Sequence, residues 1–400
     1  DPEGPAGVIR LRAASLLGAF ALAACATVQP TGSPVTLTLA GAPIPADRTH
    51  QAFLYRVPSA TDHESMVTQQ WSMLGREDRA AQTGDREYRA RACTPVRPAV
   101  SGLDDAIAEI TRHAAETRVV IVNESHTVTR HRDTVARLLS ALRPLGFTVY
   151  AAETFSNAEN EADPVEDNAG LGWASSSDGY YSREPAFGRT IGLARSLGYR
   201  LAAYEETQSQ SAGRDADMTE SIRARETAQA ANLAQILAKM ASEEKLIVHV
   251  GYSHASEVPL TNGDGSENLW MAARLKALTG IDPLTVSQTL CRSDGGLPFL
   301  AELPQDEPAG LVDLVLSQPV ARFERGRPMW RREAGDAEVD LLPELRNRAG
   351  PMIVEAFRAG DPFSAVPMDR IYLEPGEGIP LLLPPGDYTV RAIIPASGTQ

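Results

Sequence analysis

The sequence predicts an α/β fold: a mostly parallel central sheet flanked by helices, with a smaller β-rich module towards the C-terminal end. Three observations predict it. Runs such as Val119-Val120-Ile121-Val122 and Leu246-Ile247-Val248-His249-Val250 are the apolar, β-branched kind that a parallel sheet buries on both faces. Amphipathic helices alternate with them: Val135, Leu138, Leu139 and Leu142 recur at helical spacing, and Gly146 supplies the stop. A helix–Gly–strand–carboxylate phrase also occurs twice, from Leu145-Gly146-Phe147 to Glu153 and from Leu197-Gly198-Tyr199 to Glu205. That is the rhythm of βα units with right-handed crossovers.

Taken in order, Arg10 and Arg12 precede an apolar run that ends in Leu22-Ala23-Ala24-Cys25. A basic region, an apolar stretch of about a dozen residues and small residues before the cut describe a secretory signal. The run is shorter than the ~20 residues a bilayer span needs. Its ending resembles the bacterial lipobox, which implies cleavage before Cys25, diacylation of that cysteine and a lipid-anchored place in the cell envelope, facing the periplasm or the surface. A plain signal peptide with an incidental cysteine is the alternative. Residues 27–48, rich in Pro, Gly, Thr and Ala, read as a tether, and residues 60–92 as a polar helical segment without an assigned role.

Ser101 and Asp104 open a helix over Leu103, Ile107 and Ile110 that ends near Glu116. Strands follow at Val119 and at Phe147–Ala152, a long helix at 216–242, a strand at 246–250, a helix at 269–278 and a last core strand at 283–290. Beyond residue 305 alternation replaces helical periodicity, as at Tyr388, Val390, Ala392 and Ile394. Pro384-Pro385-Gly386-Asp387 reads as the turn of a hairpin. The expected division is signal 1–25, tether and helical segment 26–98, α/β domain 99–304 and β-rich domain 305–400, with an extension of the main sheet as the alternative for the last part.

At 43% hydrophobic and 22% charged residues the chain has an ordinary globular composition. A net charge of −14 argues against a nucleic-acid partner, since phosphate binding needs a basic surface. After export Cys93 and Cys291 either pair or stay as buried thiols, and their separation fits no zinc motif.

Open α/β sheets bind ligands outside the carboxyl ends of their strands. The first strand is followed by Glu124, Ser125 and His126, the second by Glu153, the third by Glu205 and Glu206, and the fourth by Gly251, Tyr252, Ser253 and His254. Carboxylates and imidazoles are the groups that move protons near neutral pH or hold a divalent metal. If the first strand runs on, Glu124 and His126 share a face. His131 and Arg132 open the next helix as ligand-binding or as solvated first-turn residues, with Arg132 placed to hold an anionic group. Arg225 lies on the stripe of Met218, Ile222, Leu233, Ile236 and Met240, so it is either paired with the acidic strand ends or turned to water. The long loop between Glu153 and Ala186 carries Trp173, a Ser run and Gly179-Tyr180-Tyr181, and reads as a lid.

The order Val119 to His126 with His131 beyond it, Phe147 to Glu153, Tyr180-Tyr181 through Tyr199 to Glu205, Arg225-Glu226 and Val250-Gly251-Tyr252-Ser253-His254-Ala255 resembles the ChaN-like haem-binding uptake family. That family shares a superfamily with the Tiki/TraB proteins and the erythromycin esterases. The resemblance implies Glu124, His126, Glu153 and His254 as the site, either as metal ligands with a general base or as the lining of a haem pocket. Asn123 stands where the family has Gly. The Glu-x-His spacing fits the haem-binding branch, and Gly251 stands where the esterase branch has a further His. The expectation is an exported lipoprotein that binds haem, iron or another metal-containing ligand, with His126, His254, Tyr180 or Tyr181 as iron ligand and Arg225 holding an anion. The alternative is a metal-dependent or water-activating hydrolase of an esterase or peptidase kind, with His126 or Glu124 as general base. No Gly-x-Ser-x-Gly motif occurs, so attack by water fits better than a covalent intermediate. A structural lipoprotein with a degenerate site is the third reading.

Overall fold

One largely parallel sheet organises the computed structural model, which describes residues 34–49, 52–59, 62–159, 164–261, 265–346 and 348–395. The expected signal, with Cys25, lies outside the described residues. In chain order the principal elements are strand β1 (Val35–Leu39), helices α1 (Glu64–Met73), α2 (Glu77–Gln82) and α3 (Leu103–Ala114), strand β2 (Val119–Glu124), helix α4 (Arg130–Leu142) and strand β3 (Phe147–Ala152). Then come helix α5 (Pro185–Ser196), strand β4 (Arg200–Ala203), helix α6 (Met218–Lys239), strand β5 (Lys245–Gly251), helix α7 (Met271–Thr279) and strand β6 (Leu284–Ser287). Strands β7 (Phe299–Ala301), β8 (Leu314–Pro319), β9 (Met352–Arg358), β10 (Asp369–Leu373) and β11 (Gly386–Ile394) complete the set.

The main sheet runs Arg292–Ser293, β8, β6, β2, β5, β3, β4; all these pairs are parallel, and β7 adds antiparallel to β8. β2 is buried at every position because it is covered on both faces. Val120 and Val122 pack with Val135, Leu138 and Ile191 of α4 and α5, whereas Val119 and Ile121 pack with Leu233, Leu237 and Leu275 of α6 and α7. β5 is inserted between β2 and β3 although it follows β4 in the chain, so the strand order reverses there. Open α/β sheets place their ligand crevice at such a reversal, and here the carboxyl ends of β2, β3 and β5 meet at it.

The smaller sheet has the order β1, β11, β9, β10 and corrects the tether expected over 27–48. Val35, Leu37 and Leu39 face the cluster of Tyr388, Val390 and Ala392, while Thr36 and Thr38 are exposed, the two-residue alternation of a strand covered on one face. β8 lies past residue 305 yet extends the parallel sheet. The hairpin expected around Pro384-Pro385 does not form: Leu381–Leu383 pairs with Ala337–Val339, and β11 pairs with β9. Two adjacent prolines without N–H groups end the first ladder, and the strands reach one apolar core through different partners.

The segment over 60–92 covers the turn between β2 and α4. Ser72 Oγ donates to Thr127 O at 2.9 Å and the Tyr88 hydroxyl to the same oxygen at 2.7 Å, while Thr129 Oγ1 donates to Glu77 at 2.5 Å. Cys93 and Cys291 form a disulfide, with Cα atoms 5.9 Å apart. Among the described residues no helix is long and apolar enough to cross a membrane.

Candidate active site

Side chains alternate along β2, so Glu124 shares a face with Val120 and Val122 and turns towards α4. Arg132 donates to its carboxylate from Nε at 3.0 Å and Nη2 at 3.1 Å, and reaches Glu184 from Nη1 at 2.7 Å. Arg132 is fully buried in the first turn of α4, where the helix dipole disfavours a cation, and two carboxylates offset that. His249 Nε2 lies 3.0 Å from Glu124 Oε2, and its ring stacks on Phe187. Burial alone would raise the Glu124 carboxyl, yet Arg132 and the imidazoles hold it well below the usual range.

Just past the strand, His126 Nδ1 lies 3.1 Å from Glu124 Oε1. A carboxylate on Nδ1 fixes the ring and leaves Nε2 to meet a ligand. That Nε2 is 4.0 Å from Glu153 Oε1. Tyr181 stacks on the imidazole with centroids 4.0 Å apart, and Tyr252 meets it edge-on at 5.2 Å.

Glu153 follows β3 and turns towards α6. Gly251 N–H donates to its Oε2 at 2.6 Å and Arg225 Nη2 to its Oε1 at 2.7 Å. Burial opposes ionisation, but His254, His126 and Arg225 bring this carboxyl down to about 2. Arg225 also binds Glu205, which accepts from Gln229 Nε2 at 3.1 Å. Gly251 is required by the packing, since a Cβ there would lie 2.6 Å from His126 Nε2.

His254 sits in the turn after β5. Its Nδ1 is 2.8 Å from Glu226 Oε1 and its Nε2 is 3.8 Å from Glu153 Oε1 and 3.4 Å from Arg225 Nη1. Glu226 Oε2 also accepts the Met271 N–H at 2.7 Å, tying α6 to the start of α7. Burial weakens this imidazole as a base, but the charges of Glu153 and Glu226 outweigh it, so the proton is held more tightly than on an ordinary histidine. Two imidazoles, each oriented by its own carboxylate, thus face one oxygen of Glu153.

The structure brings together Glu124, His126, Glu153, His254, Arg225 and Tyr181. Tyr180 points elsewhere, exposed and stacked against Phe53. His131 does not reach the cleft: it is buried, its Nδ1 accepts the Ser125 N–H at 3.0 Å, and burial pushes it down to about 3. Its place is to hold the turn after β2, a correction to the ligand role expected of it. Sequence reasoning missed His249, Glu184 and Glu77. His249 was legible as the lone polar residue in an apolar run, and Glu184 as a cap before Pro185, where it accepts from Ala186 N and Phe187 N.

A divalent metal does not fit the expected set of Glu124, His126, Glu153 and His254. The Glu124 oxygens are taken by Arg132 and the imidazoles, and Arg225 lies 2.7 Å from Glu153 Oε1 and 3.4 Å from His254 Nε2, within the space a cation would need. Among the described residues no group of three or more His, Cys, Asp or Glu side chains has metal-holding geometry.

No family model matches the chain, and no curated protein matches it. Among solved structures it is similar to RRSP, a MARTX toxin effector domain from Vibrio vulnificus, with TM-score 0.36 and 18% identity over 62% of this chain and 47% of that one. The type III effector HopBA1 gives TM-score 0.36 and 14% identity over 59% of this chain and 98% of that one. ChaN of Campylobacter jejuni, a structure with cofacial haem, gives TM-score 0.34 and 9% identity over 52% of this chain and 91% of that one. The chain spans less than half the length of RRSP and of two further bacterial protein toxins it matches, 47% and 39% respectively. At these TM-scores none of the likenesses bears on what this chain does.

Proposed function

We propose that the chain is a water-activating hydrolase of carbonyl compounds, an esterase or peptidase in kind, with His126 as the general base. The observation that carries this reading is the pair of carboxylate-oriented imidazoles facing Glu153 Oε1, with Arg225 beside it. A gap of 4.0 Å between His126 Nε2 and Glu153 Oε1 suits a water held between them. His126 Nε2 takes one proton of that water as its oxygen bonds to the carbonyl carbon. The C–O or C–N bond to the leaving group breaks as His254 Nε2 gives its proton to the departing atom. Proton transfer from His126 to His254 through solvent restores both. Arg225 stabilises the carbonyl oxygen as it gains charge. Glu124 and Glu226 are positioning residues, and Tyr181 limits access of bulk water.

The purified chain is tested on p-nitrophenyl esters and on a fluorogenic peptide mixture. General base catalysis contributes about 10²–10⁴-fold, so His126→Ala should lose at least about 100-fold in kcat/KM on any substrate turned over. Full activity in that variant would sink the reading.

One observation favours the haem reading: Phe53 and Tyr180 form an exposed stacked aromatic pair next to Tyr181. Haem laid on that pair would take its ligand from the Tyr180 hydroxyl. Hemin titration checks it, and an unshifted Soret band rules it out. Membership of the ChaN-like family is part of the same proposal. So is export with a lipid on Cys25, which the Cys93–Cys291 disulfide supports, because such bonds persist in oxidising compartments. Labelled palmitate should enter the wild-type chain and not Cys25→Ala.

A further inference from the structure

On the β6 side of the cleft, at the carboxyl ends of β2, β5 and β6, lies a cavity of about 330 Å³. Asn123, Thr289, Arg86, Arg91 and Arg292 are among its walls with the Tyr252 ring, and Glu307, bound to Arg91, is the carboxylate among them. Its boundary with the cleft is the Tyr252 ring, which meets His126 edge-on at 5.2 Å.

Three guanidiniums around one cavity stand out in a chain of net charge −14. Each is held by a carboxylate on one edge and keeps donors on another. Arg292, only 8% exposed, donates from Nε to Arg89 O at 2.9 Å and from Nη1 to Glu87 at 3.2 Å and Thr289 O at 2.6 Å. Its Nη2 has no hydrogen-bond partner among the described residues. Arg91 uses Nη2 on Asp306 and Glu307, and Arg86 uses Nε on Glu87. Arg91 Nε and Nη1 and both Arg86 Nη atoms stay unused among the described residues. Thr289 Oγ1 accepts from Asn123 Nδ2 at 3.0 Å, which leaves its own hydrogen to donate. The cavity is therefore rich in donors whose bonded edges are fixed and whose free edges are not. Guanidinium edges of this kind match the oxygens of phosphate and carboxylate groups.

The backbone of the shared wall supports a ligand here. Tyr252 has φ +38°, a left-handed conformation unfavourable for an aromatic residue, and Asn123 Nδ2 holds its carbonyl at 2.7 Å. Strain of this sort collects at binding sites, where surrounding contacts fix it.

We propose that this cavity binds an anionic group, a phosphate or a carboxylate, about one aromatic ring away from His126. That the anion belongs to the substrate rests on the hydrolase reading; the anion site does not. The substrate class is then an ester or amide bearing a phosphate or carboxylate beyond its reacting carbonyl.

The full chain is titrated by calorimetry with inorganic phosphate and, separately, with acetate. One of the two should saturate, and which one does so identifies the group. Arg86→Gln and Arg91→Gln, at an exposed and a half-buried position, should together weaken that binding at least about tenfold. Arg292→Lys, which keeps the charge and loses the fork, should weaken it also. His126→Ala should bind the anion as wild type does, so that failure of the hydrolase reading leaves the site standing. Absence of saturation by either anion up to about 10 mM, or undiminished binding in the double variant, overturns the proposal. So does loss of anion binding in His126→Ala.

Discussion

Single neighbouring charges set how tightly the groups of this cleft hold their protons. His254 keeps its proton above the ordinary imidazole range because Glu153 and Glu226 outweigh its burial. As the proton donor of the proposed reaction it imposes an alkaline limb on activity. Replacing Glu226 by Gln removes one of those charges, so that limb should move to lower pH, with kcat more affected than KM. An unmoved limb in the pH profile would separate Glu226 from His254. Glu77 titrates on its own account: burial pushes its carboxyl up to about 7 from 4.5, and Glu184 adds to this while Thr129 and Arg132 oppose it. Tyr88 and Arg130 also feel its charge. A raised carboxyl stabilises the fold below its unfolded value and loses that contribution as pH rises through its folded one. The window runs from 4.5 to about 7. Glu77→Gln should therefore flatten the loss and be up to about 3 kcal/mol more stable than wild type above it. Urea midpoints on either side of the window read this directly. Gly251→Ala should cost activity through the clash with His126, which a crystal structure of the variant would show as a displaced imidazole.

At the strand ends, α4 and α6 each bring a cation to an acid. Arg132 reaches Glu124 from α4, and Arg225 reaches Glu153 and Glu205 from α6. Each helix thereby fixes a strand-end carboxylate from its own face of the sheet. Arg132→Gln leaves Glu124 and Glu184 buried with a weaker partner, a change worth about 3–5 kcal/mol of stability. Thermal unfolding measures it, and a loss under about 1 kcal/mol would mean that water reaches the pair. The strand ends were readable because each follows an apolar run with clear limits. The partners of Glu124 were not: Glu184 lies 52 residues from Arg132, and His249 Nε2 meets Glu124 across neighbouring strands. No local pattern encodes such a pairing. The same holds for α1 and α2, whose polar composition hides that they cover the turn bearing Thr127 and Thr129.

Across the molecule, the small sheet braces the loop that brings Tyr181 to His126. Arg370 donates from β10 to Arg183 O at 2.9 Å and to Met73 O at 2.9 Å, and its Nε meets Glu355 of β9 at 2.7 Å. The later part of the loop is further pinned by the buried Asp178–Arg195 pair at 2.8 Å. The Cys93–Cys291 bond spans 198 residues, and closing a loop of that size in the unfolded chain corresponds to about 5 kcal/mol in the chain-entropy picture. Cys93→Ser with Cys291→Ser should lower the urea midpoint accordingly while leaving the pH profile of activity unchanged.

By itself the sequence determined the strand and helix alternation, the parallel sheet and the residue types at its carboxyl ends, because burial on two faces and helical periodicity are written in contiguous residues. Only the tertiary structure decided which charges compensate one another. It is there that α4 and α6 deliver arginines to the carboxylates, that Glu124 and Glu226 each orient an imidazole, and that β1 joins β11 from the far end of the chain. Such pairings depend on distances between residues remote in sequence, and local propensity carries no record of them.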